Sequence, residues 1–222
     1  MIELLNVDCM EYMKTCSNNQ FDLAIVDPPY FEGPNNTGYY GKGYSNLGVK
    51  RAKYYKKIEV WSVPDKQYFD ELKRISKNQI IWGANHFAAV FDSSSPSWIV
   101  WDKDNGKSSF ADAELAYTSF STAVRIYKYL WNGMHQGSMG GDKRKNVKRI
   151  HPTQKPVQLY DWLLKNYAKE GDKIIDTHMG SGSSAISAYY GGFDFVGCEL
   201  DKCHFEAAKQ RIDDATRQKA MF

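Results

Sequence analysis

The sequence predicts an α/β fold built on a mostly parallel sheet, and three observations predict it. Short apolar runs of strand length alternate with helical stretches towards both ends of the chain. One run, Asp22-Leu-Ala-Ile-Val26, is apolar almost throughout, the pattern of a strand covered on both faces. A glycine-rich turn, Gly180-Ser181-Gly182, stands between a strand pattern and a helix pattern. Composition agrees: 222 residues, 42% hydrophobic and 25% charged, are ordinary globular values that exclude disordered and fibrous classes. The length fits one domain carrying insertions.

The elements follow in order. Residues 2–6 read as a short strand and 22–26 as a buried one, ended by Asp27-Pro28-Pro29-Tyr30. Residues 31–57 hold Gly, Asn, Tyr and Lys without a period and read as a long loop. Residues 64–77 read as a helix: Pro64 suits its first turn, and Tyr68, Leu72 and Ile75 share a face. Strands are expected at 79–82, 98–101 and 114–120, then a second loop at 129–149. Pro156 opens a helix with Val157, Tyr160, Leu164 and Tyr167 on one side. A strand at 173–176, a helix to about Tyr190, a strand at 193–198 and a last helix capped by Asp201 complete the chain. Residues 1–222 are therefore expected to form one domain, with 31–60 and 129–150 inserted into it.

Charge and cysteine content narrow the function classes. No apolar run approaches the ~18 residues of a membrane span, and the acidic start lacks a signal peptide's basic region. A cytoplasmic protein with free thiols at Cys9, Cys16, Cys198 and Cys203 is expected, without a membrane partner. Cys198, Cys203 and His204 lack a second pair spaced to complete a metal site, so no metal is expected. The net charge of +3 is unevenly placed. From Gly33 to Ile58 there is no acid, and Lys42, Lys50, Arg51, Lys53, Lys56 and Lys57 are interleaved with five tyrosines. Lys143, Arg144, Lys145, Lys148 and Arg149 form a second cluster. Basic residues among aromatics suit a polyanion with stackable bases.

The turn after strand 173–176 has the form of a nucleotide site. Glycine allows backbone conformations and close approach that a side chain forbids. Glu199, at the end of the next strand, is placed to accept both hydroxyls of a ribose. The turn alone leaves a nicotinamide dinucleotide and S-adenosylmethionine open, since both present an adenosine. One helix follows Glu199, yet the nucleotide half of such a sheet needs another strand. Residues 2–6 can supply it, which makes the sheet circularly permuted and points Asp8 at the cofactor.

The Asp27-Pro28-Pro29-Tyr30 corner is the strongest signal. Two prolines fix φ and remove two donors, leaving the Pro28 carbonyl as an aimed acceptor. The Asp27 carboxylate is a second acceptor and Tyr30 a flat platform. Together they suit a planar base with an exocyclic amine: hydrogen bonds from both amine protons localise the nitrogen lone pair for attack on a methyl group.

These segments resemble the amino-type DNA methyltransferases that use S-adenosylmethionine, in the permuted β group. Asp27–Tyr30 matches the DPPY motif, and His151-Pro-Thr-Gln-Lys155-Pro156 resembles the HPTxKP segment. Asp176-Thr-His178-Met-Gly180-Ser181-Gly182-Ser183 resembles the D-x-F-x-G-S-G-T motif, with His178 in the place of Phe and Ser183 in that of Thr. Glu199, followed by Leu200, resembles the ribose-binding acid; Asn6-Val-Asp8-Cys9 resembles the motif whose Asp holds the adenine. The matches run in order from residue 6 to 201. The resemblance implies a permuted Rossmann-like sheet with one antiparallel strand near its end, and methyl transfer to a base flipped from double-stranded DNA, as in restriction-modification systems. It implies catalysis by Asp27, Pro28, Pro29 and Tyr30. It puts Asp8, Cys9, Asp27, Lys155, Asp176, His178, Gly180, Ser181, Gly182, Ser183, Glu199 and Leu200 at the cofactor, Lys155 facing its carboxylate. DNA would meet Lys42, Lys50, Arg51, Lys53, Lys56, Lys143, Arg144, Lys145, Lys148 and Arg149. Asp at position 27 favours adenine N6 over cytosine N4 by resemblance, and a homodimer is admitted. The alternative from another class is a nucleic-acid binder that kept the fold without catalysis; the intact Asp27, Pro28, Tyr30 and glycines argue against it.

Overall fold

The computed structural model describes residues 1–30, 62–91, 94–106, 111–131, 136–137 and 146–217. Eight strands form one sheet: β1 (Ile2–Leu5), β2 (Phe21–Val26), β3 (Ser76–Trp82), β4 (Trp98–Asp102), β5 (Ala113–Thr118), β6 (Arg125–Lys128), β7 (Lys173–Asp176) and β8 (Asp194–Cys198). Their order is β1-β8-β7-β2-β3-β5-β4-β6. Only β5 runs against its neighbours, pairing antiparallel with β3 and with β4. The other adjacent pairs are parallel. β1 lies beside β8, Ile2 opposite Phe195, which is the adjacency that a permuted order requires.

Helices cover both faces: α1 (Cys9–Thr15) and α2 (Lys66–Ile75) on one, α3 (Val157–Tyr167), α4 (Ser183–Gly191) and α5 (Lys202–Arg217) on the other. The strand period of two sorts the core between them. In β2, Leu23 and Ile25 face the α3–α5 layer, whereas Ala24 and Val26 face α1 and α2; Phe21, at the start of the strand, packs in the α1–α2 cluster outside this alternation. Ile80 and Ile81, Ile174 and Ile175, and Phe195 and Val196 divide in the same way. The apolar run of β2 is thus explained: each of its faces is roofed by helices.

Several expected boundaries shift. The helix read as 64–77 is α2, capped by Asp65, whose carboxylate accepts from the Tyr68 amide at 3.1 Å. It ends at Ile75 because Ser76 already pairs with Phe21 in the sheet. α1 and β6 were not expected. α1 is seven residues long with Met13 alone buried, and β6 is an edge strand mostly open to solvent. Neither carries enough apolar residues to leave a period. α4 departs from amphipathic patterning: its Ser183, Ser184 and Ser187 are all buried. Their hydroxyls donate to the Lys155 carbonyl, Asp176 and Asp161 respectively, so small residues pack closely without an unpaired polar group. Among the described residues, no helix is long and apolar enough to cross a membrane.

Candidate active site and cofactor cavity

A cavity of about 330 Å³ opens over the carboxyl ends of β1, β2, β7 and β8. β7 leads through α4 to β8 on one side, while β2 leads through α2 to β3 on the other. The cavity therefore sits where the chain's winding reverses, the usual place for a ligand in such sheets. Its volume is that of a small-molecule site.

Asp8, Cys9, Asp27, Pro28, Pro29, Tyr30, Lys155, His178, Gly180, Ser181, Ser183, Glu199 and Leu200 all line it. Five segments remote in sequence, 8–9, 27–30, 155, 178–183 and 199–200, are brought together here. Asp176 and Gly182 do not line it, and both correct the sequence reading. Asp176 lies beneath the turn, 1% exposed, its two oxygens accepting from the His178 amide at 3.0 Å and the Ser184 hydroxyl at 2.7 Å. Burial pushes its carboxyl up to about 7. Gly182 (φ +73°) turns away from the cavity: a Cβ there would lie 2.7 Å from Ile212 Cδ1 of α5. Its bareness serves helix packing rather than ligand approach. Gly180 (φ +53°) is the glycine at the cavity, and a Cβ on it would meet only the His151 ring, at 3.6 Å.

Other groups fix the turn. Glu199 accepts from the Gly180 amide at 3.0 Å and the Asp201 amide at 2.9 Å, tying the β7 and β8 turns together. Burial raises its carboxyl above the ordinary value. Arg211 of α5 donates to the Ser181 carbonyl at 2.7 Å and to the Ser183 hydroxyl at 2.9 Å. Asp8 has a structural task besides its place on the wall: its carboxylate caps α1 through the Met10 amide at 2.7 Å. His178 replaces an expected Phe without losing satisfaction of its ring. Its Nδ1 lies 3.0 Å from the Thr177 hydroxyl, which is 2.6 Å from the Tyr68 hydroxyl. Burial lowers His178 to about 4, so the ring is neutral near pH 7. His151 is lowered to about 3 by burial and by His204 and Lys155 nearby.

At the Asp27 corner, Tyr30 stacks on His86 with ring centroids 4.5 Å apart and planes 8° from parallel. Gly83 (φ +67°) leaves room for that ring, which a Cβ would overlap. His86 and Gly83 do not line the cavity, so they back the Tyr30 platform from behind. Lys155, on the cavity lining, is only 4% exposed, and its ammonium is already paired with Asp27 Oδ2 and with Glu114 Oε2 at 3.2 Å. Glu114 in turn pairs with Lys103. Asp27 Oδ1 is buried with no hydrogen-bond partner.

Sequence reasoning missed Glu114, Tyr68, Thr177, His86 and Arg211. Glu114 had a signal, a lone acid in an otherwise apolar strand run; the others had none. Of the basic residues expected at DNA, Lys148 and Arg149 are described: Lys148 is exposed, and the Arg149 guanidinium lies 5.0 Å from the Trp131 ring centroid. Lys42, Lys50, Arg51, Lys53, Lys56, Lys143, Arg144 and Lys145 lie outside the described residues, with most of both expected loops.

Residues 121–210 match a family model described as DNA methylase. The chain is 24% identical to the type II methyltransferase M.HpaI of Haemophilus parainfluenzae, over 95% of this chain and 74% of that one. It is 23% identical to the type II methyltransferase M2.DpnII of Streptococcus pneumoniae, over 95% and 89%. In fold it resembles M1.HpyAVI solved with S-adenosylmethionine (TM-score 0.58, 18% identity, 95% and 100% covered). It also resembles the cytosine-N4-specific PvuII DNA methyltransferase (TM-score 0.58, 13% identity, 98% and 92% covered).

Proposed function

We propose, from this kinship to the amino-type DNA methyltransferases, that the chain uses S-adenosylmethionine to methylate an exocyclic amine of a DNA base, adenine N6. The observation that carries the reading is the Asp27 corner: one carboxylate oxygen is buried without a hydrogen-bond partner among the described residues, and Asp27, Pro28 and Tyr30, whose ring is stacked on His86, line the same cavity. A buried acceptor left unpaired costs about 1–3 kcal/mol, and an incoming amine N–H would offset that cost.

The donor set fits the cofactor. Glu199, which keeps acceptor capacity beyond its two amide bonds, would hold the ribose, and Asp8 and Cys9 would border the adenine. Gly180, Ser181 and Ser183 would border the rest. When bound, S-adenosylmethionine supplies a methyl group on a positively charged sulfur. Asp27 Oδ1 and the Pro28 carbonyl would each accept one amine proton, drawing the nitrogen away from conjugation with the ring. Tyr30 would hold the base by stacking, worth roughly 1–3 kcal/mol, and so repay part of the cost of unstacking it from DNA. As the nitrogen–methyl bond forms the sulfur–methyl bond would break, and the cationic nitrogen would then release a proton to solvent, so Asp27 need only accept a hydrogen bond and steady the charge. Lys148 and Arg149 would meet phosphates. Adenine is the choice because Asp stands at position 27, where the resemblance associates Ser with cytosine N4.

The test is direct. The protein is incubated with labelled S-adenosylmethionine and unmethylated duplex DNA, and the DNA is digested to nucleosides. Label in N6-methyladenine is expected. Label in N4-methylcytosine would change the base and keep the chemistry; no label in any nucleoside would overturn the function.

A further inference from the structure

We propose that Lys155 and Glu114 are positioning residues for the Asp27 carboxylate, turning one of its oxygens to the target amine and holding the other away. The inference rests on the function just proposed. A carboxylate at a strand end can turn about its last bond and present either oxygen. Here Oδ2 is taken by the Lys155 ammonium, and Oδ1 remains buried and unpaired. A second charge contact, Glu114 Oε2 at 3.2 Å, opposes movement of the Lys155 ammonium with a turning Asp27 carboxylate. The Trp82 indole lies under it, 5.5 Å from the ammonium to the ring centroid. Glu114 is anchored in turn by Lys103, which rests on the Trp101 ring at 5.0 Å. Asp27 follows β2, Lys155 precedes α3, Glu114 lies on β5 and Lys103 follows β4. Four segments thus fix one carboxylate, and their charges alternate to zero, which makes burial of the group tolerable. The reversed strand β5 is what brings Glu114 in.

The charges act on Asp27 in opposite senses. Burial raises its carboxyl, Lys155 pulls it down, Glu114 pushes it up and Lys103 pulls it down. Tyr30, Tyr160, Asp176 and His151 are the other titratable groups facing the cluster. Two substitutions should therefore move the acidic limb of methyl transfer in opposite directions. In Lys155→Met the lost attraction should shift the limb up by about 1–3 pH units, the usual effect of one adjacent opposite charge. In Glu114→Gln the lost repulsion should shift it down. Lys155→Arg, which keeps the charge, should hold it near the wild-type position. Affinity for S-adenosylmethionine, by calorimetry, should fall by less than about 10-fold, or ~1.4 kcal/mol, in all three.

The carboxyl carbon of Asp27, followed by NMR and assigned through Asp27→Asn, should show the same opposite shifts without any turnover. A wild-type protein that methylates nothing would sink the proposed function, while the carbon titration would still decide the positioning role. Limbs and carbon shifts that stay fixed in Lys155→Met and Glu114→Gln overturn the proposal. So does a more than 10-fold loss of cofactor affinity in Lys155→Met, which would make Lys155 a cofactor ligand. Should Lys155→Met fail to fold, Glu114→Gln and Lys155→Arg still discriminate.

Discussion

Asp27 is asked to be buried, charged and available at once, and only the neighbouring ammonium makes that combination tolerable. Asp27→Ala removes one partner of a buried ion pair and so should lower stability, by up to about 3–5 kcal/mol. It should lower methyl transfer by at least ~100-fold, the scale of losing one aligned transition-state hydrogen-bonding group. Near-normal turnover in single-turnover assays would remove Asp27 from the chemistry. The two glycines of the turn make a second residue-scale contrast. Gly182→Val forces a branched side chain into a left-handed backbone and against Ile212, so it should lower thermal stability. Strain of about 1–2 kcal/mol and overpacking of about 1–3 kcal/mol both contribute. Gly180→Ala faces the cavity and should weaken cofactor binding more than it lowers the melting temperature. Melting curves and calorimetry on both variants check this; a Gly182→Val protein that melts normally but has lost the cofactor would reverse the assignment.

At the scale of elements, the turn after β7 and the segment before α3 carry groups whose charge burial suppresses. His151, held down at about 3, and His178, held at about 4, stay neutral in the folded chain while their unfolded counterparts take up protons below about 6.5. Each therefore lowers stability as pH falls through that window, by up to ~1.4 kcal/mol per pH unit. Asp176, pushed up to about 7, acts in the opposite sense: between about 4 and 7 the folded chain keeps a proton that the unfolded chain sheds. The histidines thus oppose the raised carboxyls of Asp176 and Glu199 over this range. His151→Gln removes one histidine's share and should lose less stability than wild type on acidification between about 6.5 and 4, as measured by denaturant unfolding at a series of pH values. An unchanged slope would mean that His151 titrates normally in the fold. The same segments show what a sequence can disclose. Asp27-Pro28-Pro29-Tyr30 and Gly180-Ser181-Gly182 were legible because prolines and glycines state their backbone roles locally. That Gly182 serves α5, that Asp176 lies under the turn and that Lys155 answers Asp27 depend on which elements pack together, and no spacing records that.

For the whole molecule, the mostly parallel sheet follows the sequence reading, since apolar runs, caps and turn glycines all report burial or local geometry, whereas the reversed strand was implied by the resemblance alone. The surface escaped it more than the core did: β6 and α1 bury too little to leave a pattern. The basic stretches remain a matter of charge alone. Replacing Lys50, Arg51 and Lys53 together by Ala should weaken DNA binding on every sequence and flatten its salt dependence by up to roughly 3 units of log–log slope. A loss confined to one sequence would assign them to base reading instead. The pairing of β1 with β8 has a consequence for how the protein is made. Residue 2 finds its partner only at residue 195, the most distant kind of contact a chain of this size offers. At about 5–20 residues per second, a ribosome leaves β1 without its neighbour for roughly 10–40 s, its pairing edge open to other chains. The cavity wall that β1 and β8 share cannot exist during that time. Residues 1–192, expressed alone, should therefore bind no cofactor and aggregate, and adding residues 193–217 during synthesis, not afterwards, should restore cofactor binding and solubility.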